Sequence, residues 1–315
     1  MNHALVNPSI MAWSRHRVGL STSELAESML IKLDKVLAWE AGESRPTFRQ
    51  AQQWASLARI PFGYLFLNAP PQEPLPLPDL RTVGSIAAAS PSIDLQDTVR
   101  EVLRKQAWYA DYQKQQEQAP LPFIGKFSIS ADVAQVVAEM RAVLNWPEVA
   151  QRQGADETLR QLIAAADAAG ILVMRSGVVG GNTRRKLDVG EFRGFAISDA
   201  LAPVVFINLA DAPNARLFTL LHELAHLWLG SSGISSAAPS AQRKEEAFCN
   251  RVAGEFLVPQ AQLTPLWPRN GDWLNQLPAL ANRFSVSKLV VARRAAPVTL
   301  ACYLVMPILN TIWLN

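Results

Sequence analysis

Helical periodicity dominates this chain, and the β signal is confined to its middle. Apolar and breaker residues predict four short helices near 8–17, 21–29, 33–41 and 47–57, with Leu25, Ala26, Val36, Trp39 and Leu57 as a small core. Residues 69–79, APPQEPLPLPD, predict an extended polyproline spacer. Ile93, Leu95, Val99, Val102, Leu103, Trp108 and Tyr112 then predict one long helix over 92–117, followed by helices at 130–145 and 155–169. Ile171–Arg175, Phe192–Ile197 and Val204–Leu209 are rich in β-branched and aromatic residues and predict strands. Between the first two strands, Gly180 and Gly181 with Arg184, Arg185 and Lys186 predict a mobile basic loop, either a lid or substrate clamp or, more simply, a solvated loop. Helices return at 211–230 and 244–259, and a helical pair spans 277–295 with its turn at Ser285-Val286.

The helix at 211–230 carries the strongest chemical signal. Leu217, Leu220, Leu221, Leu224 and Leu227 form its apolar stripe, Asp211 and Pro213 suit its start, and Gly230 suits its end. Within it stands HELAH, His222 to His226, the H-E-x-x-H arrangement of zinc hydrolases. Side chains four apart on a helix have Cβ atoms about 5–6 Å apart, so two imidazoles can converge on one cation. Glu223 projects beside them, where it can take a proton from the reacting water.

No histidine follows His226, so a third ligand must be sought among downstream carboxylates: Glu245, Glu246, Glu255 and Asp272. Glu246 is favoured, with Glu245 next. Glu246 and Asn250 share a helix face at i and i+4, so Asn250 can accept a hydrogen bond from a ligand imidazole.

Composition adds boundaries. A net charge of +3 gives no global electrostatic case for nucleic acid, and residues 1–60 hold seven Lys/Arg against five Asp/Glu. Two cysteines, Cys249 and Cys302, are too few for a disulfide scaffold, and MNHALVNPS lacks a signal pattern; both point to the cytoplasm. The uncharged tail Val298–Asn315 is interrupted by Pro307, Asn310 and Thr311, which favours packing on a core over a membrane anchor.

HELAHLWLG followed by EEAFCNRVAGEFLVP resembles the ImmA/IrrE family of metallopeptidases, and VVGGNTRRKLDVGEFRGFAI upstream resembles one branch of it. The resemblance implies Zn2+ held by His222, His226 and Glu246, with Glu223 as catalytic base. It also implies a protein substrate, such as a repressor or a cognate toxin, in a stress, phage or toxin-antitoxin switch. LAWEAGESRPTFRQAQQWASLARIPFGYLFL resembles a Cro/repressor-type helix-turn-helix domain. That resemblance implies DNA as a partner, with Lys32, Leu33, Asp34 and Lys35 at the start of the second helix, where Gln, Asn and Arg are missing as base readers, and Arg15, Arg17 and Arg45 on phosphates. Leu30 stands where glycine is common, and Lys32 replaces the usual polar cap. A dimerisation or substrate-gripping module is therefore the alternative for the head, and a homodimer is compatible with either.

The expected fold class is α+β: an all-α helix-turn-helix head (1–69), a proline-rich linker and helix (70–120), a zincin-like core with a small, largely antiparallel sheet and the HELAH helix (121–270), and a C-terminal helical segment with an apolar tail (271–315). The sheet should leave an edge beside the metal for an extended substrate. A transcription regulator with a structural or sensory zinc site is the competing function.

Overall fold

The computed structural model describes residues 3–72, 77, 91–147, 154–235, 244–267 and 273–295. Asp272, Cys302 and the tail Val298–Asn315 lie outside the described residues, as does most of the proline-rich stretch. The chain divides into two compact units, Met1–Leu75 with Ser90–Gln96, and Pro76–Ala89 with Asp97–Asn315.

The first unit is helical: α1 (Pro8–Arg17), α2 (Thr22–Met29), α3 (Leu33–Glu40) and α4 (Phe48–Leu57), then a 3-10 turn at Phe62–Phe66. Local chemistry sets the helix starts. Ser21 with Glu24 and Thr47 with Gln50 form reciprocal capping boxes, and the Asn7 side chain accepts from Ser9 N–H. Lys32 caps α3 without a side-chain bond. Leu30 takes the left-handed conformation that ends α2, at φ 55°, where glycine is the residue of least strain. The core is centred on Trp54, which meets Trp39 edge-on at 6.2 Å and donates its indole N–H to Ser14 Oγ at 3.0 Å. Leu25, Ala26, Val36 and Trp39 are buried as expected, while Leu57 is only partly buried at the rim.

In the second unit, α5 (Ile93–Gln115) begins within the first unit's span, and α6 (Val133–Val143) and α7 (Ala155–Ala168) precede the strands. The strands are β1 (Leu172–Ser176), β2 (Val178–Val179), β3 (Asn182–Lys186), β4 (Gly194–Ile197), β5 (Val204–Asn208) and, after helix α8 (Pro213–Leu229), β6 (Gly233–Ser235). Then follow α9 (Lys244–Leu257), α10 (Gln260–Leu263), α11 (Trp273–Phe284) and α12 (Lys288–Ala295). The main sheet runs β1-β5-β4-β6. It corrects the antiparallel expectation in one pair: β1 and β5 run parallel, because the chain passes through β4 before returning beside β1. β4 pairs antiparallel with both β5 and β6.

The basic stretch is a second correction. Instead of a free lid, β2 and β3 form a hairpin turning at Gly180-Gly181, and Arg185 is tied to Asp97 at 2.7 Å.

Helix α8 lies at the centre of this unit, packed on α9, α7, β4 and β5. Its predicted leucine stripe, Leu217, Leu220, Leu221, Leu224 and Leu227, is fully buried. Pro213 starts the helix behind Ala212, which replaces Asp211 as the cap residue, and Gly230 ends it at φ 73°. Gly194 lets β4 approach the helix closely. A Cβ there would stand 2.7 Å from both Phe206 O and Thr219 Cγ2, and 3.1 Å from Glu223 Cγ. The C-terminal pair α11 and α12 closes a smaller core with Val258, Leu263 and Trp267. Arg294 of α12 ties the pair to α9, pairing with Glu255 and donating to Val258 O.

Candidate metal centre

HELAH occupies the middle of α8, so His222 and His226 emerge one turn apart on the side that meets α9. Their Nε2 atoms are 3.2 Å apart. From the first turn of α9, Glu246 brings Oε2 to 3.2 Å from His222 Nε2 and Oε1 to 3.2 Å from His226 Nε2. All three side chains are buried, with His226 at 0% exposure. His222, His226 and Glu246 are the group of metal-ligating side chains, among the described residues, whose donor atoms all lie within 4.8 Å of one another.

Two other acidic candidates, Glu245 and Glu255, fall away on geometry. Glu245 is half-buried one helical step round from Glu246, outside that group. Glu255 is engaged by Arg294 and accepts from Gln260 N–H.

These residues fit a divalent cation. Two donors bound tetrahedrally at zinc's bond lengths of about 2.0–2.1 Å stand about 3.3 Å apart, and all three measured separations are 3.2 Å. Without a cation, two imidazole nitrogens and a carboxylate would converge in a dry pocket with too few protons between them. His222 Nδ1 and Glu246 Oε1 in fact have no well-formed hydrogen bond.

The surroundings tune each group. Burial alone would raise Glu246, yet hydrogen bonding to His222 and His226, together with their charge, holds its carboxyl well below the usual range. Burial pulls His222 down, but the Glu246 hydrogen bond and the charges of Glu223 and Glu246 outweigh it and raise the imidazole. Burial pushes Glu223 up to about 7 against the pull of His222 and His226. Glu223 is fully buried and neither of its oxygens has a completed hydrogen bond. A carboxyl with a pKa near neutrality suits proton transfer in both directions. Cys249 lies on the same helix as Glu246, but burial and then the charge of Glu246 push its thiol well up, so it stays protonated.

Asn250 touches the site more loosely than expected. Its side chain favours the charged form of His222, yet Nδ1 of that ring has no well-formed hydrogen bond. The clear orienting contact is one that the sequence reading missed. Ser231, just past Gly230, stands 2.9 Å from His226 Nδ1, and its hydroxyl donates to His226 O at 3.4 Å. Nδ1–H then donates to Ser231, which leaves Nε2 free to ligate. Ser235 was missed too; its Oγ is 3.3 Å from His222 Nε2. Both serines lie in the run SSGIS directly after the helix, a short polar stretch with no periodic signal.

Residues 166–296 match the IrrE N-terminal-like domain, Peptidase_M78. The IrrE-like stretch takes in the end of α7, the whole sheet, α8 and α9, and so contains every residue of the buried cluster. This part of the chain is therefore similar to an ImmA/IrrE-type peptidase domain. The first 165 residues lie outside the match. No curated protein matches the chain.

In the first unit, the proposed DNA contacts Lys32, Asp34, Lys35 and Arg45 are all exposed around α3 and the turn after it. Arg15 departs from its expected role. It is 6% exposed and bound to Glu40 at 2.7 and 2.9 Å and to Leu20 O, so it cannot serve a phosphate. Leu33 and Leu37, one turn apart on α3, are also exposed, as is Leu30 (93%) at the end of α2. No helix among the described residues is long and apolar enough to cross a membrane.

Proposed function

We propose that the chain is a zinc-dependent endopeptidase of the ImmA/IrrE type whose helical head recognises its regulatory partner. The observation that carries this reading is the convergence of His222, His226 and Glu246 at 3.2 Å spacings, with the buried Glu223 carboxyl beside them. His222, His226 and Glu246 would hold the zinc. Bound there, zinc supplies Lewis acidity, polarising the scissile carbonyl and making water more acidic. Glu223 takes the proton from the attacking water and returns it to the leaving amine, as its raised pKa permits. Ser231 fixes the tautomer of His226 throughout. The edge strand β6 runs directly beside the site, since Ser235 belongs to it, so an extended substrate can add to the sheet there.

For the head, the exposed leucines Leu30, Leu33 and Leu37 favour a protein partner over base reading. Leucines on the face that would enter a major groove offer no hydrogen bonds to base edges. A repressor-like or toxin-like protein, held by the head and cut by the IrrE-like domain, fits both observations. DNA binding through Lys32, Asp34, Lys35 and Arg45 remains the second reading, carried by their exposure.

The test uses Glu223→Gln. Wild-type protein loaded with zinc should cleave members of a quenched-fluorescent peptide library, and the variant should lose at least 100-fold in kcat while binding one zinc per chain. Equal cleavage by both proteins would refute the role of Glu223, and a wild type that binds no zinc would refute the metal centre.

A further inference from the structure

Ser235 ends β6, and its place is fixed by main-chain contacts. It pairs in register with Gly194 of β4, and its carbonyl accepts Arg193 N–H at 3.2 Å. The residue is 4% exposed. Its Oγ lies 3.3 Å from His222 Nε2, nearly the spacing that separates that nitrogen from His226 Nε2 and Glu246 Oε2. The hydroxyl favours the charged form of the Glu223 carboxyl, neither oxygen of which has a completed hydrogen bond.

The place matters because of what must happen there. A water that loses its proton to Glu223 has to stand within about 3 Å of that carboxyl while it reacts beside the histidines. Ser235 Oγ stands 3.3 Å from His222 Nε2 on one side of that position, and Glu223 is the next residue along α8. Efficient amide hydrolysis also needs a donor aimed at the oxygen on which negative charge grows. Trp228 Nε1, another buried donor without a partner, belongs to a side chain stacked on Phe123 in the hydrophobic core. A serine hydroxyl has one proton to donate: it can turn from the Glu223 carboxylate to this oxygen once Glu223 has taken the water's proton and can itself donate to Oγ.

We propose that Ser235 is a further catalytic residue, whose hydroxyl touches the reacting oxygen between His222 and Glu223 and donates a hydrogen bond to it as charge develops. No bond is made or broken at Oγ. The inference rests on the metallopeptidase reading of the same site.

Cobalt(II), added to the full-length protein, tests the placement without reference to activity. In Ser235→Cys, a sulfur replaces the oxygen at ligand-like spacing. A sulfur-to-cobalt charge-transfer band in the near ultraviolet should appear that wild type lacks, and chelator competition should show cobalt held about tenfold more tightly or better. In Ser235→Ala, cobalt and zinc affinities should match wild type, while peptide-cleavage kcat falls about 10- to 100-fold with KM unchanged. A Ser235→Cys protein that binds cobalt with no such band overturns the placement. A Ser235→Ala protein with wild-type kcat overturns the role. A wild type that binds neither metal fails the metal-centre reading itself, a result distinct from either of these.

Discussion

Glu223 concentrates the conflict between stability and function in a single side chain. It is fully buried, and neither oxygen completes a hydrogen bond. Such a group survives in a core only where chemistry needs it, because burying an unpartnered carboxylate is costly. The sign of its pH effect follows from its pKa. Burial pushes Glu223 to about 7, above its ordinary value of 4.5, so between these values the folded protein holds a proton that the unfolded chain releases. Its contribution to stability is therefore fully present below about 4.5 and is lost as pH rises through 7. In chelator-treated protein, Glu223→Gln should remove this loss. Its thermal midpoint should exceed that of wild type by a few degrees at pH 8, and the gap should shrink towards pH 5. A gap that widens on acidification would show that the carboxylate is stabilised by its neighbours instead.

At the scale of elements, the helices were legible and the strands were only partly so. The four head helices, the HELAH helix and its partner α9 follow apolar spacing reinforced by caps and prolines, and they appear within a residue or two of expectation. Strands β2, β3 and β6 escaped, because two- and three-residue strands, or the polar run Asn182–Lys186, carry no period that can be read. Glu246 could be found because it lies on a periodic helix at i, i+4 from Asn250. Ser231 and Ser235 could not, since what brings them to the histidines is a tight turn after Gly230 and strand pairing with β4. Arg15 failed for a similar reason: one sequence position does not reveal that Glu40, 25 residues on, waits to bury it. The junction of β4 and α8 is where the element scale controls the site. An added methyl at Gly194 would collide with the backbone oxygen of Phe206, which cannot swing away, and with Thr219 Cγ2. Gly194→Ala should force α8 off the sheet, cost about 1–3 kcal/mol, and weaken zinc binding at least tenfold because His222 and Glu223 ride on the displaced helix. Gly63→Ala, where an added Cβ meets nothing within 4 Å, is the control and should change neither property.

The whole molecule joins two units with separate cores. One is centred on Trp54 in the head; the other surrounds α8 and holds all of His222, Glu223, His226 and Glu246. A cation bound to this cluster stabilises only the unit that contains it, by RT ln(1 + [L]/Kd), or about 4 kcal/mol when free metal is a thousandfold above Kd. Nothing in the head's core depends on that cation: its helices are fixed by their own caps, by Trp54 with Ser14, and by the buried Arg15–Glu40 pair. Calorimetry of the full-length protein should therefore resolve two transitions. Chelation should lower one by several degrees and leave the other in place, and zinc should restore the first. The immobile transition should be the one abolished by Arg15→Ala, because removing one partner of a buried ion pair strands the other charge at a cost of about 3–5 kcal/mol. A single transition that shifts as a whole on chelation would mean that the head and the IrrE-like domain unfold as one cooperative body.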